Sequence, residues 1–127
     1  MSNKFFVIVI LFVVLIFGCK TEEISGGFPE KITAEKLQET LNKDKAIIIV
    51  DVREKDELAG PLGKLDGVVN IPMSELDARY TEIPKDKPVI LVCRSGNRSG
   101  KAQAFLKEKG YTLTCNLEGG MKAVREK

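Results

Sequence analysis

A chain of 127 residues has room for one ordinary domain and little more. With 43% hydrophobic and 30% charged residues it can bury a core and stay soluble, while a net charge of +2, mixed among acidic neighbours, leaves no basic stripe for a nucleic acid. The absence of histidine removes Cys-His proteases, histidine-based hydrolases and His-containing zinc or iron sites, so any nucleophile here is activated by other means.

Lys4 precedes an unbroken apolar run from Phe5 to Phe17, with Gly18 and Cys19 directly after it. As a helix that run would span about 20 Å, short of a bilayer core of about 30 Å. A positive flank, a short apolar stretch and a small residue before a cleavage point match a secretory signal over residues 1–18. The segment Ile16-Phe17-Gly18-Cys19 resembles the lipobox of bacterial lipoproteins. That resemblance implies export, lipidation of Cys19 and anchorage to a bacterial membrane at its periplasmic or extracellular face; an uncleaved signal anchor is the alternative. Residues 19–29, largely polar and Gly-rich, read as a flexible tether, and residues 30–127 as the folded domain.

Within that domain Thr33 is placed to cap a helix through about Leu41, with Ala34, Leu37 and Leu41 along one face. Ala46 to Val50 is a run of the kind found in a strand covered on both faces, and Gly67 to Ile71 reads as a short strand stopped by Pro72. Ser74 and Asp77 have the spacing of a capping box for a helix to about Tyr80. Val89 to Val92 is a third strand, Ser99 to Lys109 a helix ended by Gly110, Tyr111 to Leu117 a further strand, and Met121 to Arg125 a short terminal helix. Strands alternating with helices predict an α/β domain with a mostly parallel sheet, whose ligands bind at the carboxyl ends of the strands.

One segment lies at such an end. Cys93-Arg94-Ser95-Gly96-Asn97-Arg98-Ser99 joins the strand Val89–Val92 to the next helix. A short loop entering a helix aims several backbone N–H groups into one concavity, where the helix dipole adds positive potential. A cysteine facing that nest ionises more readily, and Arg94 and Arg98 would attract an anion to it. Gly96 permits the turn, and Lys101 reads as a surface lysine at the rim. The competing structural reading is a buried cysteine ending a strand.

Four segments taken together resemble the rhodanese-like family: Asp51-Val52-Arg53-Glu54, Gly67-Val68-Val69-Asn70-Ile71-Pro72, the Cys93–Arg98 loop, and Asn116-Leu117-Glu118-Gly119-Gly120-Met121. The resemblance implies a mainly parallel five-stranded sheet flanked by helices on both faces, and sulfur transfer through a persulfide on Cys93. It implies no cofactor and no metal. An anionic donor such as thiosulfate would load Cys93, residues Arg94, Ser95, Gly96, Asn97, Arg98 and Ser99 would hold the anion, and a thiol or cyanide would remove the sulfur. Lys64 and Val124 stand where many members carry histidine and an aromatic residue.

Two other functions stay open. Cysteine-dependent phosphatases and arsenate reductases also place an anion in a loop of amides, although their signature has five residues between Cys and Arg and this loop has four. The alternative from a different class is a sulfur carrier or binding module serving a partner protein. Asp51 and Arg53 lie just past a strand end and are expected to support the loop, Asp51 as an acceptor and Arg53 as an ion-pair partner. Cys115, inside an expected strand, reads as an inert buried thiol unless it pairs with Cys93.

Overall fold

The structure is a computed structural model and describes residues 27–126. The expected signal segment, Cys19 and most of the tether lie outside the described residues. Phe28, expected in the tether, packs against a cluster of buried apolar residues, so the folded body begins before residue 30.

Five strands form one sheet: β1 (Lys31–Ile32), β2 (Ile48–Asp51), β3 (Val69–Asn70), β4 (Val89–Val92) and β5 (Thr114–Leu117). Their order is β1-β5-β4-β2-β3, and every pairing is parallel. The helices are α1 (Ala34–Lys43), α2 (Leu76–Arg79), α3 (Asn97–Glu108) and α4 (Gly120–Arg125), with 3-10 turns at Lys55–Ala59 and Tyr80–Glu82.

The alternation of side chains along a strand divides the core in two. Val89, Leu91 and, one step beyond the strand, Cys93 pack with Ala102 and Leu106 of α3. Ile90 and Val92 face the other way, toward Leu37 of α1 and Met121 of α4. β4 is buried on both sides because it lies in the middle of the sheet, and truncating Leu91 to alanine would cost about 2–5 kcal/mol.

Several element ends differ from the sequence expectations. β2 starts at Ile48 because the Ala46 amide is taken by the Asp44 side chain at 2.8 Å, which makes a local turn. Ser74 does not cap α2; its hydroxyl donates to Glu54, and the helix is confined to Leu76–Arg79. The capping box forms instead between Glu54 and Glu57. β5 begins at Thr114, since the Tyr111 hydroxyl is anchored to the Tyr80 and Ile83 carbonyls on α3's side of the sheet. α3 starts at Asn97, two residues ahead of expectation.

Candidate active site

Cys93 follows the last residue of β4, and the chain turns at once through Gly96 into α3. Gly96 has φ +97°, and a β-carbon there would sit 3.2 Å from the Gly119 nitrogen, so glycine answers both the turn and the close approach. The turn brings the loop amides back over the sulfur: the Gly96 N–H donates to Cys93 Sγ at 3.1 Å, and Ser99 Oγ lies 3.3 Å from it.

Cys93 is only 1% exposed. Burial pushes its thiol upward, but the Ser99 hydroxyl and the amides of Ser99, Ser95 and Gly96 outweigh that and hold it below its ordinary value of 9.0. The anticipated nest is therefore present, and main-chain and hydroxyl donors supply its effect.

The two arginines part company. Arg98 was expected to orient an incoming anion, yet its guanidinium makes a bidentate pair with Glu57, both contacts 2.7 Å. A fork matched to one carboxylate has little left for a second anion, so Arg98 braces the loop against the 3-10 turn at Lys55–Ala59. Arg94 is exposed, and among the described residues no hydrogen bond or ion pair engages its side chain. It lines a cleft of about 330 Å³ together with Arg53, Glu57, Gly60, Pro61, Leu62 and Lys122. Ser95 and Asn97 are exposed at the loop surface, and Lys101 is exposed on α3.

Asp51 and Arg53 do not touch the sulfur. They form a fully buried pair: Arg53 Nη2 lies 2.7 Å from Asp51 Oδ2, and the Arg53 Nε–H is shared between both carboxylate oxygens. Nη2 also donates to the Gly63 carbonyl at 2.7 Å, and Asn70 Nδ2 donates to the carbonyls of both Asp51 and Arg53. This knot ties β2, β3 and the cleft wall together, and its hydrogen bonds run to Gly63 and Asn70 and not to the Cys93 loop.

The turn before α4 closes the site from behind. The Met121 and Lys122 amides donate to the Cys93 and Arg94 carbonyls at 2.9 and 3.0 Å. Gly120, at φ +56°, lets the two segments meet: a β-carbon would fall 2.4 Å from the Cys93 carbonyl oxygen.

Sequence reasoning assigned no role to Glu57, Lys122 or Asn116. For Glu57 a signal existed in the Glu54-to-Glu57 spacing, but its pairing with Arg98 joins positions 41 apart. Cys115 is free and buried, faces the α1 side of the sheet while Cys93 faces α3, and burial pushes its thiol up to about 12. With the sheet between them, the two cysteines are not placed to bond.

A buried, hydrogen-bonded cysteine thus sits in a strand-to-helix loop at the carboxyl edge of an all-parallel five-stranded sheet, the arrangement of a rhodanese-like domain. The rhodanese-like domain model matches residues 33–127, and the chain belongs to that family of sulfurtransferases and sulfur carriers. It is 38% identical over 91 residues to a sulfurtransferase of Allochromatium vinosum, an alignment covering 72% of this chain and 83% of that one. Bacillus subtilis YqhL is 35% identical over 122 residues, covering 96% and 92% of the two chains. The crystal structure of a rhodanese-related protein from Thermoplasma volcanium superposes with a TM-score of 0.68 at 35% identity, covering 77% of this chain and 92% of its own.

Proposed function

We propose that this protein is a thiosulfate-type sulfurtransferase in which Cys93 carries the sulfane sulfur. The observation that carries the reading is the ring of donors on Cys93 Sγ: the Gly96 amide at 3.1 Å and the Ser99 hydroxyl at 3.3 Å, on a thiol held below its ordinary value. The Cys93 thiolate attacks the outer sulfur of the donor. The donor's S–S bond breaks, sulfite leaves with the bonding electrons, and Cys93 becomes a persulfide whose terminal sulfur shares the loop donors. An acceptor thiolate or cyanide then attacks that terminal sulfur, and the Cys93 thiolate departs. Arg94, unpaired among the described residues and lining the cleft, draws the anion in.

Incubation with thiosulfate is expected to add one sulfur atom to the wild-type chain by mass spectrometry. The reading fails if no sulfur is gained, or if the gain survives Cys93→Ser. Turnover with free thiosulfate and cyanide supports the enzyme; loading that is relieved only by a protein thiol supports the carrier. The tight turn at Gly96, with four residues between Cys93 and Arg98, fits a single sulfur atom better than a tetrahedral oxyanion, which weighs against phosphatase chemistry.

A lipid anchor on Cys19, with residues 1–18 removed on export, is part of the same proposal and is supported by the apolar run and the Gly18-Cys19 junction. Durable attachment requires more than one acyl chain. Labelling of the expressed protein with a fatty-acid analogue is expected for the wild type, and equal labelling of Cys19→Ser would refute the anchor.

A further inference from the structure

Asn116, on β5, is a buried polar residue whose side chain reaches the Cys93 loop. Its Nδ2 donates to the Gly96 carbonyl at 3.1 Å, and its Oδ1 lies 2.6 Å from Ser99 Oγ. The first contact sets the orientation of the amide, because the reversed amide would press Oδ1 against the Gly96 oxygen. Oδ1 therefore faces Ser99 and needs a donor there. The same Ser99 Oγ lies 3.3 Å from Cys93 Sγ. A hydroxyl has one proton to give and two lone pairs to receive with, so at any moment either Asn116 or Cys93 takes that proton.

We propose that Asn116 and Cys93 compete for the single Ser99 hydroxyl proton, which makes Asn116 a positioning residue that governs when Ser99 turns toward the sulfur. With Cys93 as a thiol, the chain runs S–H to Oγ and O–H to Oδ1, and each group has its partner. When the Cys93 proton leaves to water, an Oγ lone pair facing the thiolate is unfavourable. The hydroxyl then turns to Sγ, and Oδ1 is left buried without its donor. Asn116 thus opposes the thiolate that the loop amides favour, and Ser99 supplies its proton as negative charge appears on the sulfur. The same turn serves the second half of the transfer, when Cys93 departs from its persulfide; that extension rests on the sulfur-carrier reading of Cys93. The other charged groups on the loop and on the elements packed against it are Arg94 in the loop, Lys122 on α4, Arg98 on α3 with its partner Glu57, and Asp51 at the end of β2 with its partner Arg53. None of these is altered by the variants below.

The test is the pH dependence of Cys93 alkylation by iodoacetamide in wild type, Asn116→Leu, Ser99→Ala and the double variant. The Gly96 carbonyl keeps the Gly100 amide at 3.1 Å when Asn116 is replaced, so the loop retains a tie at that point. In Asn116→Leu the midpoint is expected to fall by about 0.5 pH unit, which is about threefold in thiolate fraction below the midpoint. Ser99→Ala is expected to raise the midpoint, and adding Asn116→Leu to it should produce no downward shift. A residue that merely held the loop in shape would move the midpoint upward on removal, whether or not Ser99 were present. An unchanged or raised midpoint in Asn116→Leu, or an equal fall in the Ser99→Ala background, would overturn the proposal.

Should Asn116→Leu fail to fold, the Asn116 side-chain amide resonances can be followed against pH in wild type and Ser99→Ala. They are expected to titrate with Cys93 in the wild type and to lose that response without the hydroxyl; a full response in Ser99→Ala would overturn the coupling. Alkylation reads ionisation alone, so a chain that takes no sulfur from thiosulfate would defeat the sulfur-transfer reading while leaving this competition decided on its own result.

Discussion

Arg98, at the end of the Cys93 loop, and Glu57, in the 3-10 turn after β2, hold each other through two parallel contacts of 2.7 Å. The Arg98 hydrogen bonds bring the Glu57 carboxyl from its ordinary 4.5 down to about 2. A depressed carboxyl contributes stability that is present above its unfolded value and lost as pH falls through the folded one. The pair is partly exposed, so its worth is on the order of 1 kcal/mol. Urea unfolding of wild type and Glu57→Gln should therefore differ at neutral pH and converge as pH falls from about 4.5 to about 2. A difference that stays constant across that window would rule out the carboxylate as its source.

Gly120 is the second brace. Its substitution by alanine places a methyl 2.4 Å from the Cys93 carbonyl oxygen and 2.6 Å from the Arg94 carbonyl carbon, both main-chain atoms that cannot step aside alone. Backbone strain of about 1–3 kcal/mol is expected in thermal unfolding. Sulfur loading of Cys93 should fall by about 100-fold, because a small displacement of the nucleophile is enough. Unimpaired loading in Gly120→Ala would show that the loop tolerates movement at its back.

The two thiols make opposite predictions. Iodoacetamide should modify Cys93 in the native chain at neutral pH and reach Cys115 only after unfolding, as peptide mapping would reveal. Cys115 ionises near 9.0 when unfolded and at about 12 when folded, so it stabilises the native state below 9 and that contribution drains away as pH rises toward 12. Cys115→Ala should accordingly flatten the alkaline fall in unfolding free energy. An identical slope in both chains would contradict the burial of the thiol.

Asp51 and Arg53 offer a test of support without contact. Asp51→Asn takes the ion-pair partner from a guanidinium that is 1% exposed and should cost about 3–5 kcal/mol in chemical denaturation. Replacing both residues together, Asp51→Leu with Arg53→Met, should recover much of that loss. If the double variant is as unstable as the sum of the singles, the knot matters through the bonds to the Gly63 carbonyl and the Arg53 amide, and not through its charges.

The parts of this protein that were legible in its sequence are the local ones. The stretch Val89–Val92 is apolar at every position and is a strand over those same residues, because a central parallel strand is buried on both faces. The Cys93 loop could be read as a nest because strand, Gly96 and helix follow within a few residues. What escaped depends on distance in the chain. β1 is two residues long and exists only through its pairing with β5, so no periodicity announces it. The destination of Arg98 was hidden because Glu57 comes from another element, and the role of Asn116 because its side-chain partners lie 17 and 20 residues away. Arg94 and Arg98 look equivalent in sequence; packing alone separates them.

The placement of Cys93 and Cys115 on opposite faces of the sheet carries one last consequence. Among the described residues, an oxidant that reaches the reactive sulfur finds the other thiol, Cys115, across the sheet and not placed to close a ring with it. Oxidation can then join Cys93 only to a thiol from outside the described residues, and such a disulfide is open to exchange with any competent thiolate. The fold leaves its nucleophile recoverable by keeping its spare sulfur behind a wall.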